Sequence, residues 1–231
     1  MVKALPETAQ IREWTSDFGR EYTDRNTFTP LELDGLYQRN YGVTRTELNR
    51  RFLEGVPKDA QILEIGCNMG NQLLLLQEMG FTNLQAIEIQ SYALERAKNR
   101  LPNANFKRAS ALALPYADRR FDLVFTSGVL IHIGPPDLPV VLDEIHRCAK
   151  RWIWGLEYYS PGMTEVPYRG HHDLLWKADY SSLYLQRFAD LELACERRLP
   201  YLENENVDTM FLLLRKASGT ETILGARQGE G

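Results

Sequence analysis

Asn68 stands in the middle of the run Gly66-Cys67-Asn68-Met69-Gly70, between the apolar stretch ILEI and the leucine-rich stretch NQLLLL. The two glycines mark a tight turn between a strand and a helix. A dinucleotide fold places glycine at the middle position of G-x-G-x-x-G so that the backbone can approach a pyrophosphate, and a phosphate loop continues into Gly-Lys-Ser/Thr. Neither pattern is present. Glu64, before the first glycine, adds negative charge that a phosphate would avoid and a cation would favour. Glu88, closing the next apolar run AIEI, lies at the offset where an acidic residue takes ribose hydroxyls in such folds.

S-adenosylmethionine, an adenosine joined to a zwitterionic amino acid through a sulfonium, suits this set. Ser110 after the third apolar run is placed to bond the adenine amino group, with Ala111 packing on the ring, and Ser127 begins the floor beneath the sulfonium. The expected contacts are thus Glu64, Gly66, Asn68, Gly70, Asn71, Glu88, Ile89, Ser110, Ala111 and Ser127. Tyr22, Arg25 and Asn26 read as a lid over the cofactor, Arg25 meeting its carboxylate.

Such a donor is already activated, so transfer chiefly requires an acceptor held in line with water excluded. A hydroxyl acceptor gains from a general base, whereas a neutral amine attacks directly. His132, just after the fourth strand, is the best-placed titratable group for orienting or deprotonating the acceptor. Tyr158, Tyr159, Tyr168, Arg169 and His171 read as a substrate wall. Adjacent His171 and His172 diverge in a strand or a helix, so no metal site is expected. Cys67 reads as a small apolar residue of the loop.

These residues need an α/β scaffold. From Gln61 onward, short β-type runs alternate with helical patterns, as in βαβ units on a parallel sheet. Ser91 and Asp137 are placed to cap two of the helices, and Gly80 to end the leucine helix. After an irregular stretch from Pro161 to Gly170, a helix and two final strands suit an antiparallel finish to a mixed sheet. Before Gln61, two mostly polar helical stretches, around Trp14 to Tyr22 and Leu31 to Phe52, read as a cap. The expected division is a helical cap over 1–55, an α/β domain over 56–216 and a polar, glycine-rich tail over 217–231.

The chain has 231 residues, 44% hydrophobic and 25% charged, enough for one substantial core. A formal net charge of -4 disfavours nucleic acid and anionic membranes as partners. Three dispersed cysteines indicate neither a disulfide framework nor a zinc site, and no apolar run reaches membrane-spanning length. A cytoplasmic enzyme with a small-molecule acceptor is expected, its oligomeric state left open.

FGREYTDRN (18–26), ILEIGCNMGN (62–71), DLVFTSGVLIHI (122–133), EYYSP (157–161) and VPYRGHHDLLWKADY (166–180) carry a family likeness. From about Gln61 to Lys216 the chain resembles a class I, seven-stranded methyltransferase with a Rossmann-like mixed sheet. More narrowly, it resembles the pseudaminic acid biosynthesis-associated methylases. The resemblance implies an S-adenosylmethionine-dependent transfer to N or O of a small molecule, sugar-derived ones included. Carboxymethyl transfer from a carboxylated sulfonium keeps the same fold but needs a cationic side chain facing the donor. A non-catalytic nucleoside-binding protein is the remaining alternative.

Overall fold

Four short helices precede the first strand: α1 (Ala9–Thr15), α2 (Asp17–Arg25), α3 (Pro30–Tyr41) and α4 (Arg45–Phe52). The computed structural model describes residues 8–217. The tail expected over 217–231 lies, from 218 on, outside the described residues.

The two polar stretches expected here are each divided, and capping chemistry explains why. Ser16 leaves the helical region and its hydroxyl accepts from the Phe18 amide, so α1 stops where α2 begins. Gly42 adopts φ 71 after α3, and Thr44 then opens α4 with a reciprocal Thr44–Glu47 capping box.

The next segment alternates as expected: β1 (Gln61–Ile65), α5 (Asn71–Glu78), β2 (Asn83–Glu88), α6 (Ser91–Arg100), β3 (Asn105–Arg108) and β4 (Phe121–Ser127). A 3-10 turn (Leu130–His132), α7 (Leu138–Cys148) and β5 (Ala149–Tyr158) follow. Gln90, rather than Ser91, caps α6 by accepting from the Tyr92 amide, and Asp137 occupies the cap position of α7 without a side-chain bond. The irregular stretch contains a small hairpin, β6 (Thr164–Glu165) with β7 (Trp176–Lys177). Then come α8 (Tyr180–Arg187), β8 (Leu191–Pro200) and β9 (Val207–Arg215).

The main sheet has seven strands in the order β3-β2-β1-β4-β5-β9-β8, the first five parallel and β9 antiparallel to both neighbours. Central strands are buried on both faces, which is why they read as nearly continuous apolar runs. Alternate residues feed two cores. Leu63, Ile65 and Val124 pack with Val141 and Ile145 of α7, whereas Ile62, Leu123 and Phe125 pack with Leu73 and Leu76 of α5 and Phe52 of α4. Among the described residues, no helix is long and apolar enough to cross a membrane.

Candidate active site

In this topology the carboxyl ends of β1 to β5 lie along one edge, and because β9 runs the opposite way its first residues lie there too. A cavity of about 380 Å³ opens at that edge, within the size range of small-molecule sites. Helices α1, α2 and α3 contribute Trp14, Tyr22 and Tyr37 to its wall, so the N-terminal helices close it from above.

The turn after β1 has little freedom. Gly66 sits at φ 66, and a Cβ there would come 2.9 Å from Cγ2 of Val129. Asn68 is also left-handed, at φ 47, a conformation asparagine tolerates better than most residues. Its amide donates to Oε2 of Glu88 at 2.8 Å, and its Oδ1 accepts from the Thr23 hydroxyl at 2.9 Å. Gly70, at φ 73, starts α5 and lies against Leu101, so it shapes the turn without lining the cavity.

Glu88 is buried, and its Oε1 accepts the amides of Ile89 at 2.7 Å and Gln90 at 2.9 Å. Burial raises its pKa despite these three donors. A carboxylate offers about four acceptor positions, so one remains toward the cavity. The expected bidentate grip on two hydroxyls thus narrows to one acceptor position.

Glu64 is 3% exposed, its Oε2 lacks any hydrogen-bond partner, and burial pushes its pKa well above the carboxylate range. Two other wall residues hold buried atoms without partners: the indole N–H of Trp14 and Oε1 of Gln72. One donor and two acceptors thus await a polar ligand. The wall carries Glu64, Glu88, Asp137 and Asp208, and among the described residues neither Lys nor Arg lines it.

His132 is half-buried, its ring 4.4 Å from that of Trp14. Its Nδ1 lies 2.7 Å from the carbonyl of Leu174, which can only accept, so Nδ1 carries the proton and Nε2 keeps its lone pair. Desolvation lowers its pKa to about 4, leaving a neutral imidazole at physiological pH.

Most other expected residues also reach the wall: Tyr22, Asn26, Asn71, Ile89, Ser110, Ala111, Ser127 and Tyr158. Asn71 is largely committed elsewhere, donating to the Asn26 carbonyl at 2.7 Å and accepting from Arg100 at 2.7 Å. Besides Gly70, five expected residues lie off the wall. Arg25 turns to solvent beside Glu21 of its own helix, since Tyr22, Thr23 and Asn26 are the residues of that turn that face inward. Tyr159 lies under the Arg198 guanidinium, 3.4 Å from its ring centre. Arg169 is exposed in a left-handed turn, and exposed His171 meets Phe18 edge-on. Tyr168 packs behind Trp14 and His132.

Trp14, Tyr37, Tyr41, Tyr201 and Asp208 line the cavity without having been singled out from sequence. One signal was available for Asp208: in an antiparallel last strand, the starting residue shares an edge with the parallel strands' ends.

Comparison with known proteins supplies the deciding observation. Residues 62–151 match the family model described as a methyltransferase domain. The fold is that of a class I methyltransferase. The 1,6-didemethyltoxoflavin-N1-methyltransferase of Burkholderia thailandensis, solved with its substrate and S-adenosylhomocysteine, shares it with a TM-score of 0.67. The two are 17% identical, and the superposition covers 93% of each chain. An uncharacterized methyltransferase of Synechocystis sp. is 31% identical over 90 residues, which cover 39% of this chain and 42% of the relative. A sterol 24-C-methyltransferase of Schizosaccharomyces pombe is 24% identical over 142 residues, covering 54% of this chain and 37% of the relative. The chain therefore spans less than half the length of these two curated relatives, and the family model matches the stretch from β1 to the start of β5.

Proposed function

We propose that the protein transfers a methyl group from S-adenosylmethionine to N or O of a small molecule, sugar-derived acceptors included. The observation that carries this reading is the acid-lined wall with orphaned Glu64 Oε2, free of Lys and Arg among the described residues. Such a wall repels phosphates and suits a ligand bearing a sulfonium and an ammonium.

When bound, the donor supplies an activated methyl group on sulfur. The chain's residues do the rest. Glu88 offers its remaining acceptor position to a ribose hydroxyl, and Ser110 with Ala111 forms the adenine end. Glu64 faces the cationic portion. Trp14 and Tyr22 close the site against water, so the acceptor's lone pair meets the methyl carbon undiluted by solvent. His132, neutral with Nε2 unprotonated, orients an acceptor hydrogen. If His132→Ala turned over a true acceptor at the wild-type rate, that role would be lost.

Carboxymethyl transfer finds less support. It needs a cationic side chain facing the donor, and Arg169 is exposed outside the cavity.

Calorimetric titration with S-adenosylmethionine, on the wild type and on Glu64→Gln, tests the assignment. The expected result is wild-type binding weakened about thirtyfold or more in the variant, the range for losing one partner of a buried charge pair. A folded wild-type protein that binds neither S-adenosylmethionine nor S-adenosylhomocysteine would refute the donor.

A further inference from the structure

The cavity has a second end, at the opposite flank of the sheet from Glu88. Tyr37, Asn40 and Tyr41 come to it from α3, Tyr158 from the end of β5, Tyr201 from the β8–β9 turn and Asp208 from the start of β9. From β2 to β9 the sheet order counts four strand spacings, ~19 Å. A nucleoside with its ribose at Glu88 leaves Asp208 to a second molecule.

Asp208 is 4% exposed. Its Oδ2 accepts from the Tyr41 hydroxyl at 2.6 Å and the Tyr201 hydroxyl at 3.3 Å, while Oδ1 receives no hydrogen bond among the described residues. The rings form a connected wall, Tyr37 to Tyr41 at 5.3 Å and Tyr41 to Tyr201 at 4.7 Å between centroids. The nearby cations lie outside the wall: Arg45 donates to Tyr37 and Asn49 and leaves its Nη2 without a partner among the described residues, and Lys177 donates to Asn206.

We propose that this end is the acceptor subsite and that it takes an amine, its ammonium paired with Asp208 and its body held among the tyrosine rings. The word acceptor rests on the methyl-transfer reading; the amine subsite rests on its own geometry. A desolvated ammonium donates a charge-assisted hydrogen bond to Oδ1 and gains attraction from the ring faces. A carboxylate-bearing molecule would set like charges together with no cation in the wall to offset them.

The same group handles the proton. An ammonium has no lone pair, so one N–H proton passes to the Asp208 carboxylate and the electron pair of that bond stays on nitrogen. Burial raises Asp208 to about 6, opposed by the Tyr41 and Tyr201 hydrogen bonds and by the charges of Lys177 and Arg45, so it can hold this proton and release it near neutrality.

The test titrates the protein, with and without saturating S-adenosylhomocysteine, with benzylamine against benzoate and glucosamine against glucuronate. At least one amine should bind about tenfold or more tightly than its paired carboxylate, a difference of ~1.4 kcal/mol. Asp208→Asn should erase that preference while leaving S-adenosylhomocysteine affinity intact. Should that variant not fold, the wild type serves: amine affinity must rise with pH through about 6 as Asp208 ionises. Carboxylates binding as well as amines, no amine binding, a preference surviving in Asp208→Asn, or a flat pH response would each overturn the proposal. Failure of S-adenosylhomocysteine alone would strike the donor reading, since the amine titration is also run without it.

Discussion

Gly66 sets the tolerance of the whole turn. With φ at 66 and Val129 Cγ2 only 2.9 Å from where a Cβ would stand, it is constrained by both backbone and packing. Gly66→Ala should cost about 1–3 kcal/mol in chemical denaturation, the range for one strained backbone site plus a close contact. Adding Val129→Ala should return part of that loss, the packing part, and leave the backbone part. Sequence showed this glycine plainly, because a strand that stops at glycine before a helix has few other meanings. It showed Asp208 and Trp14 poorly. Each is a single residue in an otherwise ordinary segment, and only the return direction of β9 or the fold-back of α1 gives it a position. Arg25 illustrates the converse. Its type suited a carboxylate ligand, but its helical phase carries it away from the cavity its neighbours face.

At the scale of elements, the N-terminal helices are clasped to the β1–α5 turn and to Gln90 by a few polar bonds. Thr23 meets Asn68, Asn71 holds the Asn26 carbonyl, and the Gln90 amide donates to the carbonyls of Trp14 and Ser16. Few buried apolar residues support α1 and α2: α1 has none, and α2 buries only Gly19 and Thr23. Opening there should cost less than opening the sheet. Asn71→Ala should raise amide exchange across 9–26 by about tenfold, equivalent to one lost hydrogen bond of ~1.4 kcal/mol, and leave β1 and β4 protected. S-adenosylhomocysteine should restore protection in that segment. Unchanged exchange would show that the clasp contributes nothing. The parallel half was legible because its strands are buried on both faces. The cap's division into four helices was harder to see, since serine and threonine also occur within helices and the capping role of Ser16 and Thr44 depends on the chain leaving helical geometry there.

For the molecule as a whole, the buried acids set the response to pH. Glu157 is 1% exposed beneath the turn that carries His132, accepting the amides of Val129 and Ile131, and burial raises it to about 7. Asp208 is raised to about 6, and Glu64 and Glu88 shift in the same direction. A carboxyl group with a raised folded-state pKa contributes stability that is complete below its unfolded pKa and is lost as pH climbs through the folded value. For Glu157 and Asp208 that loss falls between about pH 4 and 7. His132 acts oppositely: kept neutral by a pKa of about 4, it contributes stability that is lost as pH falls from 6.5 toward that value. Glu157→Gln removes one acid from this balance. Its stability relative to wild type should rise between pH 4.5 and 7.5, by up to about 3 kcal/mol if the carboxyl alone responds. Thermal melts in which that difference stays constant would show that Glu157 titrates normally.

The placement of β9 between β5 and β8 also bears on how the chain acquires its site during synthesis. Glu64, Glu88 and Ser110 are in hand once the ribosome has passed β4, and their strands need only one another. The Asp208 end waits for the last strand, which must insert between two strands already made. A nascent chain can therefore assemble the Glu64–Glu88 end of the cavity before the Asp208 end exists.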